Sequence, residues 1–287
     1  MEQASEQAEL RLEGGTATIT GAASGFGREL ALLCAARGMN LVLADVDRIG
    51  LEKTVALANV SAKRLVRQIC DVSQAEQVDA LARTSQERFG VTRLLFNNAG
   101  VIAAGALWNA TPQDWAWVFG VNRMGVANGI RSFVPAMLVR GEPAWVINTA
   151  SVAGLVCPPD MGVYSASKYA VVALSECLHH ELVQTQKPVG VSLLCPAYVD
   201  TGIADSARHR PAELATTESA PSTIMDRTRE AMRAGRLSAA DVAAFTLDAV
   251  MQRRFYVLPH RKAGQGVEHR LWDFLAGGAP NNPLSGV

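Results

Sequence analysis

Apolar positions along this chain alternate between two periods. Residues 16–20 (TATIT) alternate and are β-branched, which reads as a strand. Residues 28–37 lengthen the period to that of a helix, residues 40–44 return to a strand, and a helix follows over 49–58. The exchange repeats through a strand at 64–69, a helix at 74–89, a strand at 93–96 and a long helix over 113–139. Next come a strand at 144–148, a helix running to 185 and a strand at 189–194. A helix pair over 222–234 and 239–253 leads to a last short strand at 255–258. Such alternation predicts an α/β fold, a doubly wound parallel sheet of seven strands with helices on both faces. Pro158-Pro159, Pro211 and Pro221 punctuate loops. The expected organisation is a polar tail over 1–13, a single domain over 14–265 and a C-terminal tail over 266–287, irregular at 277–282.

Composition narrows the partners. Lysine plus arginine equals aspartate plus glutamate at 27 each, so no field draws nucleic acid or an anionic membrane surface. Residues 1–13 lack the apolar core of a secretion signal, and no apolar run is long enough to span a bilayer. At 287 residues the chain can bury a sizeable core without staples. The five cysteines (34, 70, 157, 177 and 195) are scattered, form no C-x-x-C pair and sit mostly in apolar runs. They read as buried free thiols of a cytoplasmic protein. His179-His180 has no matching ligand cluster, so no metal is expected.

Candidate chemistry begins where the first strand ends. Gly21-Ala22-Ala23-Ser24-Gly25-Phe26-Gly27 lies between strand and helix, the architecture that seats a dinucleotide pyrophosphate. Glycines admit the phosphates to the backbone, and the helix N-terminus offers free N–H groups and a positive dipole end. The spacing is G-x-x-x-G-x-G rather than the usual G-x-G-x-x-G. Asp45 closes the second strand eighteen residues after Gly27, where an acid would grip a ribose 2′-hydroxyl. Alone, Asp45 would read as the start of a turn. Other strands end at Asp71-Val72, Asn97-Asn98-Ala99-Gly100, Asn148-Thr149-Ala150-Ser151 and Pro196-Ala197-Tyr198. An open Rossmann-type sheet gathers these ends at one crevice.

Tyr164 and Lys168 stand four residues apart in YSASK, and Ser151 precedes the tyrosine by thirteen. On a helix that spacing puts phenol and ammonium on one face. Alone, such a pair is usually a solvated helix face. At about 4 Å and an effective dielectric of about 20, the attraction to a phenolate is about 4 kcal/mol. That is about three pKa units, enough to bring the phenol from about 10 toward 7, against an opposing desolvation.

Together, residues 20–27, 97–100, Asn122, Ser151, 164–168 and 196–201 resemble the short-chain dehydrogenase/reductase family in order and spacing, across about 180 of the 287 residues. The resemblance implies that Tyr164 is the general acid/base, that Ser151 holds the reacting oxygen and that Lys168 tunes the phenol and binds the nicotinamide ribose. It implies that Asn122 holds a proton-relay water. Gly21, Ser24, Gly25, Phe26 and Gly27 would cradle the pyrophosphate. Asp71 and Val72 would flank the adenine, Asn98, Ala99 and Gly100 the adenosine ribose, and Pro196, Val199 and Thr201 the nicotinamide end. Ala197 departs from the family's usual glycine, where a positive φ would be strained.

NAD is the expected cofactor, with NADP disfavoured. The positions that would carry a cation for a 2′-phosphate hold Ser24 and Val46, and Asp45 would repel that phosphate; Arg48 is the cation nearby that would soften the preference. Leu155, Val156, Met161, Tyr198, Ile203 and Met225 suggest an apolar wall for a bulky, uncharged secondary alcohol or ketone. Residues 205–233 read as a lid over the substrate. Family members usually pair their long fourth and fifth helices, so a homodimer or homotetramer is expected. Trp272, Phe274 and Leu275 are placed to reach a neighbouring subunit. A catalytically idle NAD sensor and a lyase or epimerase using the same Tyr–Lys pair are the competing readings. The intact Ser151, Tyr164 and Lys168 weigh against the sensor, and the short stretch after Thr201 against the lyase.

Overall fold

The computed structural model describes residues 9–216, 222–260 and 262–284. Its strands are β1 (Thr16–Thr20), β2 (Asn40–Asp45), β3 (Leu65–Ile69), β4 (Leu94–Asn97), β5 (Ala144–Thr149), β6 (Val189–Leu194) and β7 (Tyr256–Val257). They form one sheet in the order β3-β2-β1-β4-β5-β6-β7, with every pairing parallel. The helices are α1 (Gly25–Ala36), α2 (Arg48–Ala58), α3 (Ala75–Phe89), α4 (Pro112–Phe119), α5 (Gly125–Arg140), α6 (Gly162–Thr185), α7 (Ser222–Arg233), α8 (Ala239–Met251) and α9 (Ala263–Leu275).

Strand periodicity assigns each side chain to a face. Ile19, Leu41, Leu43, Phe96, Ile147 and Leu194 point to the side covered by α1 and α8, through Leu30, Cys34, Val242 and Leu247. Val42, Ala44, Leu95, Val146 and Val191 point to the other side, where α3, α5 and α6 contribute Leu81, Met137 and Leu182. Central strands are therefore apolar on both faces, as a sheet covered twice must be. The chain winds outward from β1 in one direction and from β4 in the other. The crevice between their carboxyl ends is the switch point at which such sheets bind ligands.

Several elements differ from the sequence reading. The long helix expected over 113–139 is interrupted by a π-helical turn at Gly120–Met124, which carries Asn122. Hydrophobic period cannot reveal one inserted residue in a helix that continues in the same direction. Residues 263–275, spanning the expected domain end and tail, form the helix α9, with Leu271, Trp272, Phe274 and Leu275 exposed. Within the polar N-terminal stretch, Leu10 and Leu12 are buried against the core. All five cysteines are free, but Cys157 and Cys177 are exposed rather than buried. Ala197 is not among the residues with positive φ, so its side chain brings no backbone strain. Pro221, expected in a loop, lies outside the described residues. No helix among the described residues is long and apolar enough to cross a membrane.

Candidate active site

The turn after β1 closes by backbone contact. Gly21 has φ +67°, and a Cβ there would lie 2.8 Å from the Ala99 Cα. A Cβ on Gly27 would overlap the Gly21 carbonyl oxygen and sit 2.7 Å from Asn98 Nδ2. Only glycine allows α1 to start this near the turn. Asn98 Nδ2 donates to the carbonyls of Thr20 (3.0 Å) and Gly21 (3.3 Å). In return, the Thr20 hydroxyl accepts the backbone N–H of Asn98 and of Ala99. These bonds join the ends of β1 and β4 across the crevice. Ser24, the N-cap of α1, is extended and makes no capping bond with its side chain, so the first N–H groups of the helix stay open to a ligand.

Acidic residues stand at the next two strand ends. Asp45 Oδ2 accepts the Ala23 N–H at 2.8 Å, and its Oδ1 accepts the Asp47 N–H at 2.9 Å. Burial raises its pKa, partly offset by those N–H groups. Each oxygen keeps a lone pair for a ligand hydroxyl. Asp71 Oδ1 accepts the backbone N–H and the hydroxyl of Ser73. The Val72 carbonyl accepts from Asn128 Nδ2 at 2.9 Å, which fixes the wall below.

Ser151, Tyr164 and Lys168 line the same groove as the glycine turn, Asp45 and Asp71. Ser151 caps a short 3-10 turn, accepting from Ala153 N at 3.1 Å. Tyr164 and Lys168 share a face of α6, with Nζ 5.7 Å from the phenol ring centroid. Nζ donates to the Thr149 carbonyl at the end of β5 at 2.8 Å. Burial pushes the phenol up to about 12, while a hydrogen bond with the Ser151 side chain works the other way. Burial also brings the lysine down to about 8. The lowering of Tyr164 toward 7 expected from charge alone is overturned in the protein by desolvation of both groups.

Asn122 lies behind the groove and is fully buried. Its amide accepts from Val101 N at 2.8 Å and donates to Val101 O and to the Ser167 hydroxyl, each at 2.9 Å. Ser167 in turn donates to the Tyr164 carbonyl. The π-helical turn thus ties the segment after β4 to the first turn of α6. One Oδ1 lone pair remains, and both Oδ1 and Lys168 Nζ lie 3.4 Å from the position a Gly100 Cβ would take.

Most residues expected from sequence border this groove. Gly21, Ser24, Gly25, Phe26, Asp45, Asp71, Val72, Asn98, Ala99 and Gly100 line it, as do Pro196, Val199, Thr201 and Ile203. Gly27 packs beneath it. Leu155, Val156, Met161, Tyr198 and Met225 do not line it. Val156 and Met161 are buried, and Met161 bridges to Gly105. Sequence reasoning missed Trp117, Val121, Leu214 and Met232 on the apolar side, and Arg208 and His209 at the mouth. Trp117 and Val121 fall on an apolar helix stripe that reads as core, and 202–214 carries no periodic signal.

Three comparisons bear on this geometry. A family profile described as short chain dehydrogenase matches residues 15–212. A solved short chain dehydrogenase/reductase from Burkholderia phymatum, in complex with NAD, superposes with a TM-score of 0.93 at 48% identity, covering 96% of this chain and 99% of that one. A CLA biosynthesis dehydrogenase/reductase from Lactiplantibacillus plantarum is 31% identical over 92% of this chain and 94% of its own. The 1-deoxy-11-beta-hydroxypentalenate dehydrogenase of Streptomyces exfoliatus is 32% identical over 88% of this chain and 86% of its own.

Proposed function

The chain belongs to the short-chain dehydrogenase family, and on that premise we propose an NAD-dependent oxidoreductase that interconverts a bulky, uncharged secondary alcohol and its ketone. One observation carries the reading: the glycine turn and the Ser151, Tyr164 and Lys168 side chains open on one groove. The groove fits a dinucleotide. Side chains at Gly21 and Gly27 would clash with the backbone that closes the turn and so break the cradle for the pyrophosphate, and Asp45 presents lone pairs suited to a ribose diol but not to a 2′-phosphate. The neighbour from Burkholderia phymatum is described in complex with NAD, which agrees with that charge argument.

Gly21 and residues 24–27 would hold the pyrophosphate, Asp71 and Val72 the adenine, and Asn98, Ala99 and Gly100 the adenosine ribose. Lys168 would hold the nicotinamide ribose, and Pro196, Val199 and Thr201 the carboxamide end. When bound, the nicotinamide supplies or accepts the hydride. Ser151 hydrogen-bonds the substrate oxygen and holds it beside the phenol. Tyr164 passes its proton to that oxygen during ketone reduction and takes it back during alcohol oxidation. A phenol kept protonated across the neutral range is ready as an acid, so oxidation gains rate with rising pH. Lys168 stabilises the phenolate as it forms. The remaining Oδ1 lone pair of Asn122 suits a water relaying protons from Lys168.

Trp117, Val121, Ile203, Leu214 and Met232 give the groove an apolar side that favours a bulky hydrophobic substrate. The Streptomyces exfoliatus relative is named as a dehydrogenase of 1-deoxy-11-beta-hydroxypentalenate, which supports a hydroxyl-bearing substrate, although that one carries a carboxylate. Assembly through α5 and α6 is supported by Val139 and Val183, apolar and exposed on those helices. The deciding test is NADH absorbance against a panel of hydrophobic alcohols and ketones. Turnover of any member supports the reading, and NADH binding with no turnover across the panel favours an idle sensor.

A further inference from the structure

The segment after β6 folds back across the groove mouth. Its 3-10 turns, Gly202–His209 and Ala212–Leu214, are fixed at several points. Ile102 N donates to the Ser206 hydroxyl at 3.1 Å. Arg210 pairs with Asp114 on α4 at 2.7 Å, both largely buried, and lies 5.0 Å over the Trp117 ring. His209 Nε2 stands 3.7 Å from Asp47 Oδ2 beyond β2. At the near end Thr201 abuts the glycine turn, with its Cβ 3.0 Å from where a Gly25 Cβ would be.

Arg208 lies inside this span, on the groove lining. A Cβ on Gly202 would sit 3.1 Å from Ser24 Oγ and 3.4 Å from Arg208 Nη2, so the guanidinium comes down beside the glycine turn. Its Nη1 donates to the carbonyls of Gly202 and Asp205, which orient the plane and leave Nη2 and Nε without a protein acceptor among the described residues. No carboxylate among the described residues pairs with it. The turn itself has no free cation. Residues 21–27 are uncharged, and Arg28 turns inward to the Ala23 carbonyl and the Thr54 hydroxyl. Lys168, the other lysine or arginine on the lining, has its ammonium turned to the Thr149 carbonyl.

We propose that Arg208 is a cofactor-binding residue that reaches from the substrate-side segment to the dinucleotide pyrophosphate, supplying the cation the glycine turn lacks. The proposal rests on the nicotinamide reading and adds to it a residue with no sequence signature. A guanidinium suits the task because it gives two parallel, charge-assisted donors to phosphate oxygens. It also makes the segment that borders the substrate sense whether the phosphates are in place.

The test is direct binding, read by NADH fluorescence and by displacement with ADP and with adenosine, for wild type, Arg208→Met and Arg208→Lys. Arg208→Met should lose about tenfold in affinity for NADH and for ADP, with adenosine unchanged because it carries no phosphate. Arg208→Lys should fall between, since it keeps the charge and loses the fork. Equal NADH affinity in wild type and Arg208→Met overturns the proposal alone. So does a loss for adenosine matching that for ADP, which would mark a residue that merely shapes its loop. A wild type that binds neither NADH nor ADP overturns the nicotinamide reading, and the proposal with it.

Discussion

Lys168 holds its ammonium 5.7 Å from the centre of the Tyr164 ring while donating to the Thr149 carbonyl at 2.8 Å. The carbonyl at the end of β5 therefore aims the lysine at the phenol from the sheet, and α6 supplies the shared face. Burial favours the neutral form of each group, moving the phenol up to about 12 and the amine down to about 8. A phenolate formed on that face would have the ammonium as a nearby counter-ion, which lowers the cost of charging it.

Removing the phenol hydroxyl isolates that chemistry. Tyr164→Phe should lower kcat by about 10²–10⁴-fold, the usual share of a general acid. NADH affinity should stay within a few-fold, since the phosphate and adenosine contacts lie elsewhere. Stopped-flow turnover alongside fluorescence titration checks both halves. Retention of more than about a tenth of the activity would remove Tyr164 from the acid role.

The lysine predicts a pH dependence of stability. Its folded pKa of about 8 lies below the ordinary lysine value of 10.5, so between these values the unfolded chain binds more protons than the folded one. The contribution of Lys168 is therefore fully present above 10.5 and lost as pH falls through 8. Lys168→Met carries no such change. In urea titrations the variant should be more stable than wild type near neutrality, and its advantage should shrink as the pH is raised from about 8 toward 10. A constant difference would mean that the amine is not desolvated.

The chemistry near the centre of the sheet was legible because it sits on short, spaced motifs. The glycine turn, Asn98, Ser151, Tyr164 and Lys168 all follow a strand end or open a helix, and the alternation of periods places such positions at one crevice. The π-helical turn around Asn122 left no trace, since the apolar stripe runs through it. Arg208 and His209 were illegible for another reason: long-range contacts such as Arg210 with Asp114, not a local pattern, set where that segment lies. The pKa of Tyr164 escaped the sequence because burial, which decides its sign, is a property of the folded neighbourhood.

Two glycines separate close packing from helix propensity. Gly27→Ala places a methyl against the Gly21 carbonyl oxygen and 2.7 Å from Asn98 Nδ2, within a turn braced on both sides. It should cost at least about 3 kcal/mol in a denaturant titration, beyond ordinary overpacking, because backbone must move. Gly264→Ala in α9 meets nothing within 4 Å. There the methyl should stabilise by about 0.5–1 kcal/mol, through the lower entropy of the unfolded chain.

Asp45 tests cofactor choice by charge. Its carboxylate braces the turn through the Ala23 N–H and faces the groove where a ribose would lie. Asp45→Ala should weaken NAD and relieve repulsion against NADP, moving the ratio of their kcat/KM values toward NADP by about tenfold or more, or about 1.4 kcal/mol. Loss of the Ala23 bond weakens both cofactors alike and cancels in that ratio. Adding Val46→Arg should push it further, because a guanidinium pairs a phosphate with two parallel bonds. Arg48, the cation expected from sequence to soften the preference, does not line the groove, whereas His209 does and stands 3.7 Å from Asp47. A wild type that already prefers NADP would defeat the argument from Asp45. His209→Ala would then be the next variant, with a return of preference toward NAD showing that the imidazole holds the 2′-phosphate.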